Sequence, residues 1–180
     1  MRRSLRCCSV FMAVALFGAF DAAAEKSTSA LTVAQTGALT LVNVREVVEG
    51  SEAATRRNDF ESAFTYLADD VVITTSEPSP DGKTKTTTRG KAEFMKAERE
   101  SLKQMPDSRY LSEITDVTLA PDAASATASV SAEQFLKSDG HEARGTQAQV
   151  LRIEMRKGKP AIVSVKSTMT GLWIDGTKVF

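Results

Sequence analysis

Five side chains in this sequence could converge on a bound molecule: Glu113, Gln147, Gln149, Ser167 and Met169. Two amides and a hydroxyl can orient a ligand through hydrogen bonds, and a thioether can pack against it. A carboxylate withdrawn from water has a raised pKa and can act as a general base. Their convergence follows from strand pairing, because residues directly opposite in antiparallel strands share a face. A two-residue turn at Asp139-Gly140 sets Ser138 opposite His141. Counting back places Ala128 opposite Leu151, Ala126 opposite Ile153, Ala124 opposite Met155 and Val130 opposite Gln149. A three-residue loop around Gly158 sets Val163 opposite Ile153, Val165 opposite Leu151 and Ser167 opposite Gln149. It carries the same face on to Met169.

Glu113 joins this set if Pro121-Asp122 is a two-residue turn. Leu111, Glu113, Thr115, Val117 and Leu119 then face inward, and Glu113 lies opposite Val130, beside Gln149. A one-residue bulge would instead send Glu113 to solvent and bring Tyr110, Ser112 and Ile114 in. The first inward set is the more apolar, which favours Glu113 inside. The face also carries Ala124, Ala126, Ala128 and Ala132 where bulkier residues would fill space. A helix packed closely over the alanines accounts for them. So does a cavity whose mouth is lined by Gln147, Gln149 and Ser167.

Other reactive residues give less. His141, the single histidine, follows Asp139-Gly140 at a hairpin tip and reads as a surface residue. Asp69 and Asp70 end a helix and begin a strand, as solvated turn residues do. Lys83, Lys85 and Arg89 form a basic strand edge that guards against aggregation. No glycine loop for phosphate, nucleophile elbow or Ser-His-Asp set is present. One histidine leaves few ways to hold zinc, so neither a metal nor a cofactor is expected.

These residues need elements to position them. Leu41, Val44 and Val48 recur at helical spacing through a segment from Leu39 to about Arg57. Asn58 with Glu61 has the form of a capping box, opening a short helix whose apolar face is Phe60, Ala63, Phe64 and Leu67. Val71 to Thr75 is a β-branched strand. Pro78, Pro80 and Asp81-Gly82 mark a turn, and Thr84 to Thr88 returns as a second strand. Lys91 to Met105 is an amphipathic helix stopped by Pro106, with Lys96 and Glu100 on its exposed face. Everything after it is β, giving the order ααββαββββ.

The N-terminus sets the compartment. Arg2, Arg3 and Arg6 precede an apolar run from Cys7 to Phe20, and Ala22-Ala23-Ala24 follows. This is the form of a secretory signal peptide over 1–24, too short for a membrane span of about 20 apolar residues. Cleavage would remove both cysteines, leave 20 basic against 22 acidic residues, and expose a flexible leader over 25–37. The expected location is periplasmic or secreted, with no stable membrane insertion. The near-balance of charge argues against nucleic acid as a partner.

Arg57-Asn58-Asp59-Phe60 opening the second helix, Leu67-Ala68-Asp69-Asp70-Val71-Val72 entering the first strand, and Arg89-Gly90-Lys91 before the third helix carry a resemblance. With the four final strands, they resemble the nuclear transport factor 2-like superfamily, including its SnoaL-like, polyketide-cyclase-like branch. The resemblance covers about 38–171. It implies a cystatin-like α+β cone, a curved antiparallel sheet wrapped around N-terminal helices and an apolar pocket. A tail over 172–180, with Trp173 packed over the cone's edge, would follow the last strand. Such a fold hosts isomerases, dehydratases and cyclases as well as binding proteins, so it does not give function. Three roles are expected. The first is non-catalytic binding of a small, largely apolar ligand. The second is a cofactor-independent isomerase, dehydratase or cyclase with Glu113 as base. The third is an interaction module using the sheet face or tail. The polar outer sheet face fits a monomer or weak homodimer.

Overall fold

The computed structural model describes residues 38–79, 83–104, 108–138 and 140–180. The signal peptide, the leader, the turn at Pro80 to Gly82 and the helix stop at Pro106 lie outside the described residues. Helix α1 spans Leu41–Arg56 and opens on a capping box in which Thr40 and Asn43 bond each other's backbone N–H. Val44, Val47 and Val48 form its buried stripe. Gly50 interrupts good helix formers for a steric reason. A Cβ there would stand 2.4 Å from Tyr66 Oη, so the absent side chain lets the tyrosine lie against the helix.

Helix α2, Phe60–Thr65, begins one residue later than its expected cap. Asp59, not Asn58, accepts the N–H of Ser62 at 3.1 Å, while Asn58 takes a left-handed φ of 57° that turns the chain out of α1. Strands β1 (Leu67–Pro78) and β2 (Thr84–Gly90) follow, then helix α3 (Lys91–Gln104). Strands β3 (Ser108–Leu119), β4 (Ser125–Ser138), β5 (His141–Arg156) and β6 (Lys159–Ile174) complete the expected order, and a two-residue β7 (Thr177–Lys178) pairs with β6.

The sheet is curved and unclosed, in the order β2-β1-β6-β5-β4-β3. It is mixed rather than wholly antiparallel, because β1 lies parallel to β6. The early β1–β2 hairpin and the late meander are thereby joined into one surface. Its inner face carries Ile73, Ala126, Ala128, Val130, Leu151 and Ile153, packed under Val44, Val48, Phe60 and Phe64.

The β4–β5 register is the expected one at every stated pair that lies within the strands, from Ser138 opposite His141 to Ala126 opposite Ile153. The β5–β6 hairpin differs at its tip. Lys157 and Gly158, with φ of 52° and 78°, form a two-residue turn, so Ile153 faces Ile162 rather than Val163. An irregularity at Val163 then restores Leu151 opposite Val165 and Gln149 opposite Ser167. Ile162 is consequently a core residue, 1% exposed. Leu172, Trp173 and Ile174 lie within β6, paired to β5, so the strand continues where a tail was expected.

The β3–β4 connection decides where the candidate base goes. Its loop spans Pro121 to Ala124, closed by Ala120 N–H to the Ser125 carbonyl at 2.8 Å, with Ala123 at φ 53°. Leu119 pairs with Ala126 and Val117 with Ala128, and a bulge at Thr115 follows. Beyond it Ile114 sits opposite Val130, while Glu113 faces Ser131 and is exposed. The inward placement of Glu113 is thus corrected. The bulge buries Tyr110 and half-buries Ile114 in positions that would otherwise have desolvated a carboxylate.

Candidate functional site

Between the helices and the sheet lies a cavity of about 110 Å³. That is several times the space of about 10–15 Å³ that one water needs. Its apolar walls include Phe60, Phe64, Phe94, Leu151 and Val165. Gln147, Gln149, Ser167 and Met169 all line it, brought together by the β5–β6 register. Glu113 does not. The two glutamines are already engaged. Ser167 Oγ donates to Gln147 Oε1 at 2.8 Å, and Gln149 Nε2 donates to Tyr110 Oη at 3.2 Å.

Two carboxyl groups that the sequence reading passed over face this cavity. Glu52, on α1, is 6% exposed. The hydroxyls of Tyr110 and Ser112 on β3 hydrogen-bond it, and Ser112 Oγ in turn accepts from Arg56 Nη1 at 3.0 Å. Glu52 Oε2 is buried and has no hydrogen-bond partner. Burial raises the pKa of Glu52; the bonds from Ser112 and Tyr110 and the charge of Arg56 oppose that rise.

Glu98, on α3, is wholly buried, and neither of its oxygens has a hydrogen-bond partner. Burial pushes its pKa well above the usual carboxylate range, opposed only by the charge of Arg89. Tyr110 is shifted upward too, chiefly by burial and then by the negative charge of Glu52. One carboxyl is held by two hydroxyls and the other is stripped of partners. Their environments differ in the way that separates an acid from a base.

The signal for both was periodicity. Glu52 lies four residues beyond Val48, and Glu98 four beyond Phe94, so each continues the inward stripe of its helix. Among so many surface charges that spacing did not single them out. The other expected surface residues are at the surface. Asp69 bonds Lys157 at 2.8 Å, Asp70 bonds Arg156, and His141 Nδ1 lies 2.7 Å from Asp175 Oδ2, all exposed.

No family model matches the sequence, and no curated protein matches it. Solved structures do. An NTF2-like protein with a cystatin-like fold from Novosphingobium aromaticivorans superposes at a TM-score of 0.54, with 15% identity, covering 72% of this chain and 80% of that one. The chain has the NTF2-like fold. A ketosteroid isomerase-like protein from Erwinia carotovora atroseptica shares this NTF2-like architecture at a TM-score of 0.53 and 16% identity, covering 72% of this chain and 95% of that one. A putative scytalone dehydratase from Novosphingobium aromaticivorans does so at 0.57 and 9%, covering 74% and 85%. At such identities the likeness establishes the NTF2-like fold, and the function must be argued from the cavity.

Proposed function

We propose that this chain binds a small, largely apolar organic molecule in the cavity between α1, α2, α3 and the sheet. The observation that supports it most is the pair of carboxyl groups with unpartnered oxygens, Glu52 and Glu98, at the lining of this cavity. Buried polar groups without partners are costly, and a site that keeps them is a functional candidate. Gln147 with Ser167 and Gln149 with Tyr110 fix the polar wall against which a ligand is oriented. Native mass spectrometry of the protein purified from its source tests this. A reproducible non-covalent adduct, absent from Ser51→Phe, in which a bulky ring is placed at the cavity lining, is the expected result. A bare mass in both proteins, together with no binding in a fragment screen, would sink it.

A second reading is cofactor-independent proton transfer, favoured by the unequal holding of the two carboxyls. Glu52 would act as base through its free oxygen, steadied by Tyr110 and Ser112, and Glu98 would act as acid. Glu113 has no part in it. Solvent deuterium appearing in the recovered ligand, and lost with Glu52→Gln, is the expected sign; binding without exchange would leave the binding role alone.

We infer also that export precedes binding, on the strength of the N-terminal pattern. An N-terminus at Glu25 in protein isolated from the cell envelope is the expected finding.

A further inference from the structure

The charges around the cavity point to the kind of molecule it takes. Among the described residues, the charged side chains lining it are Glu52 and Glu98; no lysine, arginine or histidine lines it. Arg56 stands beside Glu52 on its own helix, and Arg89, at the end of β2, lies within reach of Glu98's field. Both arginines lie outside the lining. Arg56 donates to Ser112 and Arg89 pairs with Glu93 at 4.0 Å. The cavity therefore holds two acids without a cation.

Three phenyl rings stand with them. Phe60 and Phe64 have centroids 6.1 Å apart, and Phe94 meets Phe64 edge-on at 6.0 Å. All three line the space that Glu52 and Glu98 share. Aromatic faces attract cations, and do so more strongly when water is excluded. An anionic ligand would have to shed its water beside two carboxyls with nothing to balance it. An alcohol or ketone would satisfy one of the two acids and leave the other without a partner. An organic ammonium supplies what both acids lack.

We propose that the ligand is an apolar amine, bound as its ammonium between Glu52 and Glu98 with its hydrocarbon part against Phe60, Phe64 and Phe94. The inference rests on the reading of the cavity as a binding site. The amine arrives from neutral water already protonated. Burial favours the protonated form of Glu98 and a neighbouring ammonium favours the charged form, so pairing shifts the proton of Glu98 toward solvent. No covalent bond changes. The groups that face the two acids, Tyr110 and Ser112 from β3, Arg56 from α1 and Arg89 from β2, are bystanders in that exchange.

Three compounds of one shape test it: benzylamine, benzyl alcohol and benzoate, titrated calorimetrically into the whole protein in buffers of different ionisation heat. Benzylamine should bind at least tenfold more tightly than benzyl alcohol, with proton release, and benzoate should be weakest. Glu98→Gln should abolish both the preference for the amine and the proton release, while benzyl alcohol still binds. Benzyl alcohol or benzoate binding as tightly as benzylamine would overturn the amine and leave the cavity's binding role standing. Failure of all three to bind would remove the binding role and the amine with it. The comparison in the unsubstituted protein needs no variant, so a Glu98→Gln chain that does not fold cannot shield the proposal.

Discussion

The hydroxyl of Tyr110 is hydrogen-bonded to the carboxylate of Glu52, joining the first residues of β3 to the inner face of α1. The same hydroxyl accepts from Gln149 Nε2 on β5, so one phenol connects a helix and two non-adjacent strands. Tyr110→Phe keeps the ring and removes both bonds. It should cost on the order of 1 kcal/mol in stability. The carboxyl resonance of Glu52 should titrate at higher pH than in the parent, because one of the bonds that favours its charged form is gone. A titration moving downward would contradict the assigned contact.

Glu98 gives the protein a pH dependence of definite sign. Its pKa in the unfolded chain is near the ordinary 4.5, and burial raises it in the folded state. The folded form then holds more protons over the interval between the two values, so stability falls as pH rises through that interval. The slope from this one group approaches about 1.4 kcal/mol per pH unit at its steepest. Glu52 and Glu77, also raised by burial, add to it in the same direction. Denaturant midpoints measured from pH 4.5 upward should decline less steeply in Glu98→Gln, with the variant the more stable at neutral pH. Parallel curves would place Glu98 in water.

Gly50→Ala should destabilise the fold, although alanine is the better helix former by about 0.8–1.0 kcal/mol. The new methyl would lie 2.4 Å from Tyr66 Oη and 2.6 Å from its Cζ, so the tyrosine ring would have to leave its place against the helix. A loss of roughly 1–3 kcal/mol is the scale for overpacking. A double-mutant cycle with Tyr66→Ala should show the two effects strongly coupled. Independent effects would mean the clash is relieved elsewhere.

Glu113→Gln is the informative neutral change. The side chain is exposed on the sheet's outer face, opposite Ser131. Stability should stay within about 0.5 kcal/mol of the parent, and ligand binding should be unaffected, whereas Glu52→Gln and Glu98→Gln should each alter it. Loss of binding in Glu113→Gln alone would return that carboxyl to the cavity.

The sequence by itself determined the element order and most of the meander. Turn residues at Asp139-Gly140, with alternation through Ala126, Ala128, Leu151 and Ile153, fix a register without reference to anything distant, because a one-residue slip would expose the whole apolar set. That is why Gln147, Gln149, Ser167 and Met169 share a stretch of the cavity wall. What only the tertiary structure decided were the irregular residues and the burial of charge. A bulge at Thr115 moves every earlier side chain of β3 to the other face from the one that turn counting gives, and its position depends on what the helices offer to cover. Tyr110 and Ser112 enter because Glu52 of α1 is there to accept their hydroxyl bonds. Glu52 and Glu98 lie on stripes visible in the sequence, but a carboxyl at a helical position reads as solvent-facing until the sheet wraps over it. The parallel pairing of β1 with β6 has the same origin. It joins residues as far apart in the chain as Leu67 and Ile162 through a curvature that no local spacing encodes.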